Sequence, residues 1–129
     1  MKVTKLVPLI ALLVGCNSIP TISELPATVT IQFGSEVHLT DPEVDIRFLE
    51  VLQDSRCPVD VVCVQEGSAT LRFSVIEPDN DQFQVVLETG KPPETAVGLT
   101  FRLISVDPAP RSGQFLDPTN YAATIEISR

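Results

Sequence analysis

The sequence predicts an all-β domain, and two patterns carry that prediction. Apolar and polar residues alternate with a period of two in segment after segment, which is typical of strands with one buried face. Clusters of Gly, Pro, Asp and Asn separate these segments at intervals of about ten residues, as expected for short strands joined by turns. No segment after residue 16 sustains the period of an amphipathic helix.

Seven segments fit a strand: TVTIQF (28–33), EVHL (36–39), EVDIRFLEVLQ (43–53), SATLRFSVIE (68–77), QFQVVLET (82–89), LTFRLISVD (99–107) and YAATIEIS (121–128). The apolar phase changes near Phe48 and Leu49, and again near Leu103 and Ile104. Such a change indicates a β-bulge or a strand buried on both faces. Residues 28–129 therefore predict a single domain of about seven strands, either an antiparallel, immunoglobulin-like β-sandwich or a partly open β-barrel.

The first residues predict a secretory signal. Lys2 and Lys5 form a basic start, and residues 6–14 form an apolar run too short to cross a hydrocarbon core of about 30 Å as a helix. The run ends in LVGC at residues 13–16, which resembles the lipobox of bacterial lipoproteins. The resemblance implies that residues 1–15 are cleaved, that Cys16 is acylated, and that residues 16–27 tether the domain. The alternative is a plain secretory signal that contains a cysteine.

The lipobox resemblance also implies a location. A lipid on Cys16 would anchor the domain to a membrane of the bacterial cell envelope. In Gram-negative lipoproteins an Asp after the acylated Cys is the usual inner-membrane retention signal, so Asn17 favours the outer membrane. In a host with a single membrane, the same anchor would place the domain on the outer cell surface.

The cysteine count predicts a disulfide. The chain has three cysteines, and once Cys16 is assigned to the lipid, Cys57 and Cys63 remain as a pair in a compartment where disulfides persist. Their C-x5-C spacing, with no predicted helix nearby, does not fit a thioredoxin-like redox centre. A structural zinc site generally needs four ligands, and the single histidine, His38, lies in an alternating strand. Neither a metal nor another cofactor is predicted.

The charge excludes one class of function. Cleavage removes Lys2 and Lys5, which leaves seven basic against 17 acidic residues and a formal charge of −10. An acidic domain of this kind is repelled by nucleic acids and by anionic membrane surfaces. A nucleic-acid partner is therefore not expected.

The segment around the cysteine pair carries a second resemblance. DSRCP at 54–58, followed by CV at 63–64 and by Gly67, resembles a recurring signature of small uncharacterised bacterial secreted proteins and lipoproteins. In that family an aromatic and a small residue stand between the Val and the Gly, whereas this chain has Gln65 and Glu66. The resemblance implies secretion and a β-fold, and it implies no mechanism.

The sequence predicts a binding or structural role without catalysis. It contains no G-x-S-x-G motif, phosphate-binding loop or dinucleotide fingerprint, and no catalytic residue is predicted. The expected partners are the membrane, through the lipid, and an unknown protein, peptide or envelope component. One alternative is a small envelope enzyme or thiol redox factor. Another is a secreted domain that inhibits hydrolases.

The candidate recognition loop is residues 54–67, because rigid loops on a β-scaffold are common binding sites. Arg56 is its charged anchor, and it either pairs with Asp54 or Asp60 or holds an anionic group of a partner. Whether Arg56 faces a partner or braces the turn is left open by the sequence. The candidate binding residues are Asp54, Ser55, Arg56, Asp60 and Gly67.

Overall fold

Two β-sheets packed face to face make up residues 18–129, the part of the chain that the computed structural model describes. The predicted signal segment and the predicted lipidation site at Cys16 lie outside the described residues. The strands are β1 (Thr21–Ile22), β2 (Ala27–Gln32), β3 (Glu36–Thr40), β4 (Glu43–Asp54), β5 (Ala69–Ile76), β6 (Gln82–Glu88), β7 (Glu94–Ala96), β8 (Leu99–Asp107) and β9 (Ala122–Ser128). A 3-10 turn, Pro118–Asn120, precedes β9. Within this range no helix has the length and apolar character needed to cross a membrane.

The first sheet has the strand order β1-β3-β4-β5-β6, and the second has the order β2-β9-β8-β7. All neighbouring strands are antiparallel except β1, which pairs in parallel with β3. The predicted all-β sandwich is confirmed, and each of the seven predicted segments contains a strand. The sequence missed β1 and β7, whose two and three residues are too short to show an alternating pattern. β1 lies inside the segment that was predicted to be a tether.

The core between the sheets is built from the alternating apolar residues of both. Phe48 is fully buried at its centre, with its ring centroid 5.5 Å from that of Phe33 and 5.2 Å from that of Phe73. Aromatic pairs at these separations add to the free energy gained by burying apolar area. The other large side chains with almost no exposure come from both sheets, and they are Ile31, Leu39, Ile46, Leu71, Phe101, Leu99, Ile125 and Ile127.

Both predicted β-bulges are present. The register of β4 against β5 shifts between Phe48 and Glu50 and again between Val51 and Gln53. The register of β8 against β9 shifts between Leu103 and Ser105, so that Ile104 is exposed and Val106 is again buried. An extra residue in one strand leaves it unpaired and restores the inward phase further along.

Strand direction brings two long connections to one end of the sandwich. β4 ends where β5 begins, with Asp54 opposite Ala69, and β8 ends where β9 begins, with Asp107 opposite Ala122. The connections that follow β4 and β8 therefore emerge from the two sheets at the same end.

We predict that Phe48→Ala lowers the free energy of unfolding by about 3–5 kcal/mol, because it leaves a cavity between two aromatic rings. Phe83→Ala is the matched control. Phe83 lies on the outer strand β6 and is 43% exposed, so its loss should cost about 1–1.5 kcal/mol. Urea unfolding followed by circular dichroism measures both, and equal losses would contradict this account of the core.

Candidate functional site

Residues 55–68, which connect β4 to β5, and residues 108–117, which follow β8, form one loop cluster. The backbone N–H of Val59 donates to the carbonyl of Pro110 over 2.9 Å. The backbone N–H of Ser112 donates to Oδ1 of Asp60 over 2.8 Å. Asp60, a predicted binding residue, thus connects the two segments.

The predicted disulfide is present within this loop cluster. Cys57 and Cys63 are bonded with an S–S distance of 2.10 Å and their Cα atoms 5.9 Å apart. Closing a loop of this length stabilises a domain by about 2–2.5 kcal/mol in the chain-entropy model. At the base of the loop, the backbone N–H of Cys57 donates to the carbonyl of Glu66 over 2.7 Å. The disulfide therefore closes a segment that is already bridged by backbone hydrogen bonds.

Arg56 forms a two-pronged ion pair with Asp54. Its Nε donates to Oδ1 and its Nη2 donates to Oδ2, each over 2.8 Å. The Arg56 and Asp54 side chains are only 15% and 12% exposed. This parallel geometry is the strongest arrangement that a guanidinium and a carboxylate make.

The same guanidinium reaches the other sheet. Nη1 of Arg56 donates to the carbonyl of Val106 over 2.7 Å, and Nη2 also donates to the carbonyl of Pro108 over 2.9 Å. Arg56 therefore connects the end of β4 to the end of β8. Of the two pairings that the sequence left open, the structure has Asp54, while Asp60 accepts from Ser112. In this arrangement Arg56 braces the loop cluster from within.

Tyr121 completes the charged group by donating its hydroxyl to Oδ2 of Asp54 over 2.7 Å. Burial alone would raise the pKa of Asp54, but hydrogen bonds from Arg56 and Tyr121 outweigh it, so the pKa lies below its ordinary value of 3.8. Burial and the bond to Asp54 raise the pKa of Tyr121 to about 12. The sequence did not single out Tyr121, because 67 residues separate it from Asp54.

Gly67 and Ser55 form the narrowest contact at the base of the loop. Gly67 has φ = +66°, and a Cβ built on it would lie 1.8 Å from the backbone oxygen of Ser55. Ser55 in turn donates its N–H to the carbonyl of Ser68 over 2.7 Å, and its hydroxyl oxygen accepts from the N–H of Ser68 over 3.2 Å. Position 67 therefore needs glycine for both conformation and space.

Beyond this base the loop projects into solvent, and residues 59–67 are all exposed. Four of the exposed side chains are valines, namely Val59, Val61, Val62 and Val64. In the second segment Leu116 packs against the core, whereas Phe115 is 87% exposed. Sequence reasoning placed the four valines in the candidate recognition loop but selected only its charged, hydroxyl and glycine residues for binding, because apolar side chains are usually buried. The signal that distinguishes them is their position inside and next to a seven-residue disulfide loop, which is too short to enter a sheet.

The other titratable residues considered from the sequence form no site. His38 is half-buried on the outer face of the first sheet, with Nδ1 2.7 Å from Oδ1 of Asp45 on the neighbouring strand. Asp79 accepts from the backbone N–H of Asp81 in the β5–β6 turn. From residue 18 onward, no three His, Cys, Asp or Glu side chains lie close enough together to hold a metal ion.

Comparison with known proteins identifies no relative. No family model matches the chain, and no curated protein or solved structure is significantly similar to it. The contacts of the loop cluster are therefore the basis for its functional interpretation.

We predict that Gly67→Ala destabilises the domain by at least about 2 kcal/mol more than Gly113→Ala, because overpacking against backbone forces the chain to move. Gly113 is the matched control, since it has φ = +73° but open space around a Cβ. Both variants carry the strain of a left-handed alanine, and only the first also separates Ser55 from residue 67. Chemical unfolding of the two proteins measures the difference, and equal stabilities would contradict the contact.

We predict that Tyr121→Phe lowers the free energy of unfolding by about 1–2 kcal/mol at neutral pH, because Asp54 loses a hydrogen bond. The pKa of Tyr121 is raised on folding, so the stability it contributes is fully present below its ordinary pKa of 10.0. That stability is lost as the pH rises toward about 12. The difference between wild type and variant should therefore be constant from about pH 6 to 9 and shrink above about pH 10.

The lowered pKa of Asp54 makes the free energy of unfolding depend on pH at the acidic end of the range. Since folding lowers this pKa, the stability that Asp54 contributes is present above its ordinary pKa of 3.8 and is lost as the pH falls through the lower folded value. Urea unfolding of wild type and Tyr121→Phe across the full pH range tests both limits. A difference between the two proteins that does not change above pH 10 would contradict the assigned hydrogen bond.

Proposed function

We propose that this protein is a lipid-anchored domain of the bacterial cell envelope that binds a protein, peptide or other envelope component through its loop cluster, without catalysis. The observation that carries the proposal is a loop whose base is held by hydrogen bonds and in which nine successive residues, 59–67, are all exposed. Exposed loops on a rigid β-scaffold are where binding residues concentrate.

The rigidity of the loop supports binding. Ordering a flexible loop on association consumes part of the interaction free energy, and a loop that is already ordered avoids this loss. Here the order comes from the disulfide, from the hydrogen bonds of Val59 and Asp60 to the second segment, and from the Arg56 brace. The loop cluster is therefore already ordered, and little interaction free energy is needed to order it when a partner binds.

The buried charges favour a structural role over catalysis. Arg56, Asp54 and Tyr121 have shifted pKa values, which is a common feature of active sites. In this protein, however, they bind one another and two backbone carbonyls, and little of Arg56 or Asp54 is exposed. A substrate would have to displace these contacts to reach them.

The proposed anchor at Cys16 would keep the domain close to the membrane. Cys16 lies five positions before Thr21, the first residue of β1, so the chain between their Cα atoms spans at most about 18 Å. β1 pairs with β3, Ile22 packs against the core, and the carbonyl of Pro20 accepts from the N–H of His38. The predicted tether is therefore bound to the first sheet from Pro20 onward, and the partner would lie within or close to the same envelope layer.

A second candidate function is inhibition of a hydrolase. The observation that favours it is the same rigid, projecting loop, because a loop of this kind can enter and block an active-site cleft. This role is a special case of binding, and it would be recognised by the identity of the partner.

We predict that Cys16→Ser abolishes incorporation of an alkynyl fatty acid and releases the full-length protein from the membrane fraction, while the β-sheet circular dichroism is retained. The double variant Cys57→Ser/Cys63→Ser is the matched control, because it should remain lipidated and membrane-bound. A Cys16→Ser protein that still takes up the label would contradict the anchor.

The same three proteins test binding through formaldehyde crosslinking in cells. Wild type should give a discrete crosslinked species, and the double cysteine variant should lose most of it because its loop is no longer closed. Absence of any crosslinked species in wild type would contradict the proposed binding function.

A further inference from the structure

We infer that the loop cluster binds by inserting an apolar wedge into an apolar cleft of a partner protein whose rim is basic. The wedge consists of Val59, Val61, Val62 and Val64 of the first segment, together with Phe115 of the second segment. This inference rests on the proposed binding function and names the chemistry of the contact. It assigns recognition to apolar side chains, with Arg56 as the brace behind them.

The exposure of the wedge differs from that of other apolar residues. Val62 and Val64 are as accessible as in an extended chain, at 102% and 103%, and Val59 is 57% exposed. Single apolar residues on a surface are ordinary, but a cluster at a protruding point marks an interaction surface. In residues 18–129, the large exposed apolar residues outside the loop cluster are 42–48% exposed, namely Ile19, Leu52, Phe83, Val86 and Ile104, and Val61 of the wedge, at 43%, lies in that same range.

Two bonds restrain the wedge, the disulfide and a hydrogen bond to the second segment. The disulfide brackets Val59, Val61 and Val62, and Val64 follows Cys63 directly. Val59 is also bonded through its N–H to the carbonyl of Pro110. Valine has a stiff χ1 because it is branched at Cβ, so these side chains lose little freedom on binding.

Phe115 adds an aromatic contact from the second segment. Its neighbour Leu116 packs against the core, which fixes the backbone at this point. The N–H of Ser112, three residues before Phe115, donates to Asp60 in the first segment. Phe115 is therefore attached to the same rigid unit as the valines, and aromatic residues are enriched among those that dominate binding free energy.

Charge determines which occupant fits. Asp60 and Glu66 lie exposed within the wedge loop, and the chain after cleavage carries a formal charge of −10. Of the six arginines in residues 18–129, five have an acidic ion-pair partner, namely Arg47, Arg56, Arg72, Arg102 and Arg129, and the sixth, Arg111, is an exposed residue of the second segment. Asp60, Glu66 and Asp117 outnumber this one exposed cation in the loop cluster. An anionic bilayer or a second copy of the chain would bring negative charge against negative charge. A protein cleft with basic residues around it complements both the apolar wedge and the acidic residues near it.

The test places the photoreactive residue p-benzoylphenylalanine in the full-length protein, in its native cells, at Val62, at Phe115 or at Val86. Val86 is the matched control, because it is an exposed valine on a sheet face away from the loop cluster. We expect the first two positions to crosslink to the same protein and Val86 to give no adduct. Mass spectrometry of the adducts identifies that protein.

Binding of the purified adduct protein to the full-length chain in detergent then measures the contact. Val62→Asp/Val64→Asp should weaken binding by at least about 30-fold, and Val86→Asp should change it by less than about twofold. Since Val62 and Val64 are fully exposed, the double variant should keep the urea midpoint of wild type. Raising the salt concentration from about 50 to about 300 mM should weaken wild-type binding, because it screens the basic rim.

Other outcomes overturn the inference in distinct ways. Adducts between two copies of the chain would assign the wedge to self-association, and adducts to phospholipid alone would assign it to the bilayer. If wild-type binding does not weaken as the salt concentration rises, the inferred basic rim of the partner cleft is wrong. Unchanged binding of Val62→Asp/Val64→Asp would overturn the wedge while leaving binding through the loop cluster intact, whereas no crosslinked species in wild type would contradict both proposals.

Discussion

The guanidinium of Arg56 sits where the two sheets end, and it is bonded to both. On one side it holds the carboxylate of Asp54, the last residue of β4, and on the other it holds the carbonyls of Val106 and Pro108 at the end of β8. Pro108 lies just beyond the last paired residue of β8, Asp107, so its carbonyl needs a donor from outside the sheet. A lysine could not replace Arg56, because only the planar guanidinium reaches all four acceptor atoms in fixed directions.

The position of the two loop segments relative to the sheets depends on this contact. Arg56 precedes Cys57 directly, so the guanidinium positions one end of the disulfide loop against the second segment. Tyr121, directly before β9, donates its hydroxyl to Oδ2 of Asp54, which also accepts from Arg56. Removing the arginine would leave a largely buried carboxylate without its cation, a change that is strongly destabilising in other proteins. Charge-assisted hydrogen bonds of Arg56 thus hold the loops to the end of the sandwich, where the apolar core stops.

Local pattern predicted most of the sandwich and little of the candidate site. The period of two identified seven strands, and its interruptions near Leu49 and Ile104 located two of the three register shifts, because these are properties of adjacent residues. The pairing of Cys57 with Cys63 followed from the number of cysteines. By contrast, the acceptors of Arg56 on the second sheet and the partner of Asp60 lie 50 or more residues away, so only the fold reveals them. The valines were placed in the loop by the sequence, but their exposure depends on how that loop leaves the sheets, which local pattern does not show.

The parallel pairing of β1 with β3 has a mechanical consequence for the proposed lipid anchor at Cys16. It involves only two residue pairs, Thr21 with His38 and Ile22 with Leu39, whereas β2 is held to β9 along six. A pull applied through the proposed anchor would therefore detach β1 first, while β2 keeps the sandwich closed. Freeing residues 21–26 would lengthen the chain between that anchor and the sandwich by up to about 20 Å. Under the proposed anchoring, the domain would then reach further from the membrane without unfolding.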